Sequence, residues 1–319
     1  MMQMISGKFV SQAIAVAAEL GIADLLKDGE RSTADLAAAS GAHEPSLYRL
    51  LRALASAGVF TETGPRRFAL TPLAECLRSD TPDSLSMMAR FWAMPMVWDA
   101  WREFSYSVRT GEPALRKLGI ENPFLYLKHH PEQAELFNHA MSQFSRHAAP
   151  AVADAYDFSR FHSIVDVAGG HGALLGTVLE RNPHLKGVLF DLPEVIAGAP
   201  AGRYETAAGS FFDSVPAGAD AYMMKHIIHD WDDERSATIL RNCHRAMTKD
   251  GRLLVIEMVI PPGNDPFPGK WLDLEMLAIP GGKERTEEEF RALFEAGGFE
   301  LTQIIPTAVP VSIIEGRPR

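Results

Sequence analysis

Two cysteines, Cys76 and Cys243, are all that the 319 residues contain. That is too few for a disulfide framework, and a reducing cytoplasm is the compartment expected. Cations are also scarce: 31 Lys and Arg stand against 41 Asp and Glu, a formal net charge of -10. That average repels a phosphate backbone, so nucleic acid is not among the expected partners. No run of about 20 apolar residues occurs, so no membrane span is expected. A secretory signal is not expected either. Lys8 is a lone cation, and the apolar stretch from Ile14 to Leu26 is broken by Glu19, Gly21 and Asp24. Internal repeats and low-complexity tracts are missing.

What is present is an ordinary globular composition, 46% hydrophobic and 23% charged, over a length that usually divides into two domains. From residue 1 to 93 the periodicity is helical. Phe9, Ala13, Val16, Ala17 and Leu20 recur at three- and four-residue spacing before Gly21. Ser32 followed by Asp35 reads as an N-cap, and Leu47, Leu50, Leu51 and Leu54 mark a further amphipathic helix. Two short strands then flank a turn at Gly64-Pro65. Helix, turn, helix and hairpin is the order of a winged helix. A DNA-binding regulator is one reading of it, with Arg49, Arg52, Arg66 and Arg67 as phosphate contacts. Glu44, Glu62 and Glu75 leave the region near neutral, and dimerisation is the role expected.

Residues 94–319 form the expected second domain: a helical segment rich in Trp, Phe and Met, then an alternation of apolar strands and amphipathic helices. That alternation predicts an α/β fold, a Rossmann-like parallel sheet closed by an antiparallel hairpin at the end of the chain. Phe137, Met141 and Phe144 share one helix face, where core packing and a substrate wall are both open.

The turn Asp166-Val167-Ala168-Gly169-Gly170-His171-Gly172 follows a buried strand and precedes a helix. Glycine there permits close backbone approach to a ligand, and the helix N-terminus offers free N–H groups. Dinucleotide sites share this plan. Asp191, ending the next strand, suits a ribose in either cofactor. A pyrophosphate requires G-x-G-x-x-G, which Ala168, Gly170 and Ala173 match poorly, and Asp166 would repel it. Charge therefore favours a cationic, ribose-bearing ligand such as S-adenosylmethionine. His229 stands just past another strand, where α/β folds place their chemistry, with Asp230, Asp232 and Asp233 following. A histidine there can serve as a general base. His226 and His229 together could ligate a metal, but no cysteine or third histidine lies near, and no metal is expected.

Four blocks give the chain a resemblance to a known family: residues 165–172, residues 190–193, Lys225-His226-Ile227-Ile228-His229-Asp230-Trp231-Asp232-Asp233, and Gly281-Gly282-Lys283-Glu284-Arg285-Thr286. The sequence resembles the winged-helix-containing small-molecule O-methyltransferases, the group of the caffeic acid, hydroxyneurosporene and acetylserotonin enzymes. The resemblance implies S-adenosylmethionine as cofactor, S-adenosylhomocysteine as product, and a class I methyltransferase sheet behind a dimerisation domain. It implies a small aromatic or polyketide-like acceptor. Position by position, it places the methionine end against Ala168, Gly169 and Gly170, next to the Asp166 already favoured by charge, and the ribose on Asp191 beside Leu192. The adenine would lie at Ser210, Phe211 and Phe212, with Lys225, Met141 and Ser145 reaching the cofactor. His229 becomes the general base, flanked by Glu257 and Glu284. Apart from what the resemblance implies, Phe137, Met141, Phe144, Trp271 and Met276 are the expected acceptor-lining residues. Two positions depart from the family pattern: Ala168 replaces a usual glycine, and Ser210 replaces a usual aspartate. A same-fold enzyme that uses the cofactor for another reaction is the alternative, and the presence of His229 weighs against it.

The helix from Phe9 to Leu20 carries apolar residues over much of its circumference, more than one intramolecular face needs. A homodimer through residues 1–93 is therefore predicted. Sedimentation at micromolar concentration should give about twice the chain mass of 35.0 kDa, and a clean monomer would refute it.

Overall fold

The computed structural model describes all 319 residues. They cluster into two compact units, Met1–Asp99 with Leu127–His147, and Ala100–Tyr126 with Ala148–Arg319. These units interleave along the chain, and helix Pro131–Ala155 contributes residues to both.

In the first unit the winged helix is present. Helices Gly7–Glu19, Thr33–Ser40 and Glu44–Ser56 precede a small antiparallel sheet. Its strands, β1 (Arg31–Ser32), β2 (Phe60–Gly64) and β3 (Arg67–Leu70), lie in the order β1-β3-β2. Ser32 caps its helix by accepting the Asp35 N–H at 3.1 Å. Leu36, Leu47, Leu51, Leu54, Phe60 and Phe68 form the core between helices and sheet. The wing arginines are committed within the chain. Arg66 pairs with Glu44 at 2.6 Å and lies 4.3 Å from the Tyr48 ring centre, while Arg67 pairs with Glu30 at 2.9 Å.

The second unit is built on seven strands. They are β4 (Ser163–Val167), β5 (Lys186–Asp191), β6 (Glu205–Ala208), β7 (Ala221–Lys225), β8 (Arg252–Glu257), β9 (Phe299–Pro306) and β10 (Ser312–Pro318). The order is β6-β5-β4-β7-β8-β10-β9. The first five run parallel, and β10 is antiparallel to both neighbours. Central strands covered on both faces must be apolar throughout, and Tyr222, Met223 and Met224 in β7, like Leu253 to Ile256 in β8, are fully buried. Helix Asp233–Ala246 is capped by Asp232, whose Oδ1 accepts the Arg235 N–H at 2.8 Å. Helix Glu287–Ala296 opens with a reciprocal cap between Thr286 and Glu289. The strand that periodicity missed is β6, an edge strand whose Glu205-Thr206 start is exposed.

Because the parallel strands all end on one side, Val167, Asp191, Ala208 and Lys225 deliver the chain to the same edge of the sheet. At β10 a different polar group is buried. Glu315 accepts from Tyr156 Oη at 2.5 Å and from Thr302 Oγ1 at 2.7 Å. Removing that donor leaves a buried carboxyl partly unsatisfied. Tyr156→Phe should therefore cost about 1–3 kcal/mol of stability, read as a lower denaturant midpoint, without altering activity. An unshifted midpoint would mean that Glu315 finds another donor at no cost.

Candidate active site

Beyond β4 the chain reverses through Ala168, at φ 55°, and Gly170, at φ 59°, before Gly172 starts helix Ala173–Arg181. Gly169 is held to glycine by space. A Cβ there would sit 2.6 Å from the Asp166 carboxyl and 2.5 Å from Leu189. Asp166 thus lies directly beneath the turn, 1% exposed, with its Oδ2 receiving no hydrogen bond. Burial pushes its pKa up to about 7, against the pull of Lys225. Lys225 ends the neighbouring strand β7, and burial lowers its pKa to about 8. The sequence reading gave Asp166 to the cofactor alone; the structure adds an internal counter-charge.

Asp191 closes β5. Its Oδ2 accepts the Gly170 N–H at 2.8 Å, and its Oδ1 accepts the Leu192 N–H at 2.7 Å. A carboxylate has about four lone-pair sites, so each oxygen keeps capacity for a ribose hydroxyl. Burial raises its pKa. The Gly209 N–H donates to the Asp191 carbonyl at 3.0 Å, tying the 209–212 loop to the same strand end. In that loop Ser210 Oγ accepts the Phe212 N–H at 3.2 Å. Phe211 and Phe212 pack edge-on against each other and against Trp231, with ring centres 4.8–6.1 Å apart. Asn242, which the sequence did not single out, donates to the carbonyls of both phenylalanines at 2.6 and 2.9 Å.

A buried acid with one oxygen free of hydrogen bonds beneath a glycine turn, a strand-end carboxylate and an aromatic loop form a cradle for a cationic nucleoside. S-adenosylmethionine fits it: Asp166 complements positive charge, Asp191 the ribose and Phe211 a purine face.

His229 lies in a short 3-10 turn after β7, 6% exposed. Its Nδ1 is 2.6 Å from Glu284 Oε1, and its Nε2 is 3.6 Å from Asp230 Oδ1. Glu257 stands beside the same loop: its Oε1 accepts the backbone N–H groups of Ile227 and His229, each at 3.1 Å, so it holds the loop while its charge acts on the ring. Burial works against the imidazolium, but the carboxylates of Asp230, Glu284 and Glu257 outweigh it and lift the His229 pKa to about 9. Burial also pushes Asp230 up to about 6 and Glu257 up to about 7. His226, at φ 53°, lies 4.9 Å from His229 between ring centres. One ligand atom from each of His226, His229 and Glu284 falls within 4.8 Å of the others.

Arg285 is the second group that sequence reasoning passed over, though it stands in the quoted Gly281–Thr286 block. It is fully buried and donates to the carbonyls of Ile228 and Trp231 at 3.1 and 3.0 Å, and to Asp233 at 2.9 Å. Met276 is buried in helix Gly269–Ala278, whereas Trp271 in the same helix is 68% exposed. Phe137, Met141, Phe144 and Ser145 belong to the first unit, where Phe137 meets Phe91 at 5.7 Å. Phe137, Met141 and Phe144 are assigned from their shared helix face, and Met141 and Ser145 as cofactor contacts from the resemblance.

Residues 101–300 match the O-methyltransferase domain family, and residues 2–80 the O-methyltransferase dimerisation domain family. The chain belongs to the S-adenosylmethionine-dependent O-methyltransferases. A phenazine O-methyltransferase of Lysobacter antibioticus is 47% identical, with 100% of this chain and 95% of that one covered. The crystal structure of LaPhzM superposes at a TM-score of 0.95 and 46% identity, covering 100% and 98% of the two chains. An O-methyltransferase from neocarzinostatin biosynthesis, solved with S-adenosylmethionine and 2-hydroxy-5-methyl naphthoic acid, gives a TM-score of 0.80 at 34% identity, covering 97% and 96%. The methyltransferase therefore uses S-adenosylmethionine on a small metabolite, and its N-terminal region is a dimerisation domain.

In the methyltransferase the loop bearing Glu284 presses on the loop bearing His229. A Cβ at Gly282 would overlap the His229 carbonyl oxygen and lie 2.5–2.6 Å from the Asp230 and Trp231 backbone. Backbone cannot yield as a flexible side chain does. Gly282→Ala should lower kcat at least tenfold and reduce thermal stability, while Gly281→Ala, which meets Pro113 at 2.7 Å, should affect stability more than kcat. Full activity in Gly282→Ala would show that the His229–Glu284 contact is dispensable.

Proposed function

We propose that the enzyme methylates a phenolic hydroxyl on a fused aromatic acceptor of the phenazine or naphthoate kind, with His229 as general base. The observation that carries this reading is the buried His229–Glu284 pair, 2.6 Å apart, at the carboxyl edge of the sheet. The names of the relatives supply the acceptor class.

S-adenosylmethionine supplies a methyl carbon already activated by its sulfonium, so the protein's task is to make the oxygen nucleophilic and hold it in line. With Nδ1–H directed at Glu284, the imidazole presents Nε2 to the acceptor, and the carboxylate stabilises the imidazolium formed when Nε2 takes the proton. Glu257 and Arg285 keep the ring in place through the backbone. Asp191, Ser210 and Phe211 bind the nucleoside, and Asp166 with Lys225 sets the charge at the turn. A free histidine has a pKa of about 6.5. A value of about 9 is a closer match to a phenol of pKa about 10, and it makes proton transfer nearly thermoneutral. It also means that the imidazole is protonated at neutral pH in the cofactor-free protein. The cation brought by the cofactor opposes the imidazolium and favours the neutral base.

His229→Ala should lower kcat by roughly 10²–10⁴-fold while affinity for S-adenosylhomocysteine barely moves. The sign of the pH effect follows from the raised pKa: the working form is the deprotonated one, so kcat/KM for the acceptor should climb as pH rises above 7. The loss in the alanine variant should shrink for an acceptor with a more acidic phenol. A flat profile from pH 6 upward, with equal losses for both acceptors, would make His229 an orienting residue and not the base.

A further inference from the structure

One buried acid in the second unit takes no part in the site described above. Glu275, on helix Gly269–Ala278, is 7% exposed. Its Oε2 accepts the indole N–H of Trp101, and its Oε1 receives no hydrogen bond. The facing helix Phe104–Thr110 carries a second such atom, Ser107 Oγ, on a residue 1% exposed. Two packed helices thus each bury a polar oxygen without a protein partner, an arrangement that costs stability unless a ligand or water completes it. The helix bearing Glu275 is fixed to the catalytic loop at two points. Asp273 Oδ1 accepts the Glu284 N–H at 2.9 Å, and the Met276 carbonyl accepts the Gly281 N–H at 2.8 Å. Any group held by Glu275 is therefore held at a fixed offset from the base.

We propose that Glu275, oriented by Trp101, is an acceptor-binding residue that donates a carboxylic acid O–H to a ring nitrogen or carbonyl oxygen of the aromatic acceptor. This rests on the methyl-acceptor reading above and narrows it to aza-aromatic or quinonoid molecules. The neutral form is the one its surroundings favour: burial raises the pKa to about 7, and the Trp101 N–H only partly offsets it. With Trp101 donating to Oε2, the acid proton belongs on Oε1, the oxygen that lacks a partner. A site built to hydrogen-bond a heteroatom discriminates strongly against the analogue without it.

The test is a matched pair of acceptors, a hydroxyphenazine and the hydroxyanthracene of the same outline, assayed with wild type, Glu275→Gln and Glu275→Leu. Wild type should favour the phenazine by KM. Glu275→Leu should raise KM for the phenazine roughly tenfold or more, leave KM for the anthracene near its wild-type value, and change kcat little. Glu275→Gln, which keeps a donor, should restore most of the preference. Binding of S-adenosylhomocysteine should be the same in all three. Equal KM changes for both acceptors, or a lower melting temperature with the preference intact, would make Glu275 structural and overturn the subsite alone. Turnover of neither acceptor by a wild type that binds S-adenosylhomocysteine would overturn the acceptor class, and the subsite with it.

Discussion

No side chain fits between the backbones of Gly282 and His229, and the catalytic arrangement depends on that closeness. With the two loops in direct contact, Glu284 reaches the imidazole at 2.6 Å from a position 55 residues away in the chain. Arg285 then seals the contact from the other side, its guanidinium taking the carbonyls of Ile228 and Trp231 together with the Asp233 carboxylate. A fully buried arginine is costly unless its donors are met, and here they are met by the backbone that must be held. The Ile260 N–H, bonded to the Arg285 carbonyl at 2.9 Å, extends the same clamp to the chain leaving β8. The position of the His229 imidazole is thus fixed by backbone contacts, which tolerate little displacement.

The second constraint is electrostatic. Asp230, Glu257 and Glu284 surround one imidazole in a region from which water is largely excluded, and burial alone would discharge them. Their fields instead converge on His229 and make it a stronger base than a free histidine. A second buried pair, Asp166 and Lys225, stands at the ends of adjacent strands β4 and β7. Such groups are poor contributors to stability, because desolvation offsets most of their attraction. Their concentration at one edge of the sheet is what a site preorganised for charge displacement requires.

Much of this was legible in the sequence because the signals are local. A strand, a glycine turn and a helix follow one another in residues 163–181, and a strand running into His229 can be read the same way. Winged-helix order was legible for the same reason. Residues that act across long separations were not. Asn242 holds Phe211 and Phe212 from 31 and 30 residues away, and nothing in its helical surroundings marks it. Glu257 could be placed near the base but not assigned to its backbone, since a carboxylate's partner is a matter of angstroms and not of spacing. The edge strand β6 carries too little apolar alternation to be seen, and Lys225 as a counter-charge to Asp166 depends on which strands are neighbours. In the wing the near-neutral balance was legible in sequence, but the pairing of Arg66 with Glu44 and of Arg67 with Glu30 was not.

Of the three residues other than glycine with left-handed backbone, Arg66 lies in the wing, and Ala168 at φ 55° and His226 at φ 53° lie at the charged edge of the large sheet. Each costs about 1–2 kcal/mol relative to ordinary backbone. Both follow the ends of neighbouring parallel strands, β4 and β7, and both turn the chain sharply out of the sheet before it can continue as strand. At Ala168 the family's glycine would remove the cost, so the exchange is more than the small change that side-chain size implies. At His226 the turn brings the next residues back over β8, where the Ile227 and His229 N–H groups meet Glu257. Strain at one residue is thus balanced by two hydrogen bonds to a buried carboxylate, and that balance holds the imidazole of His229 at the edge of the sheet.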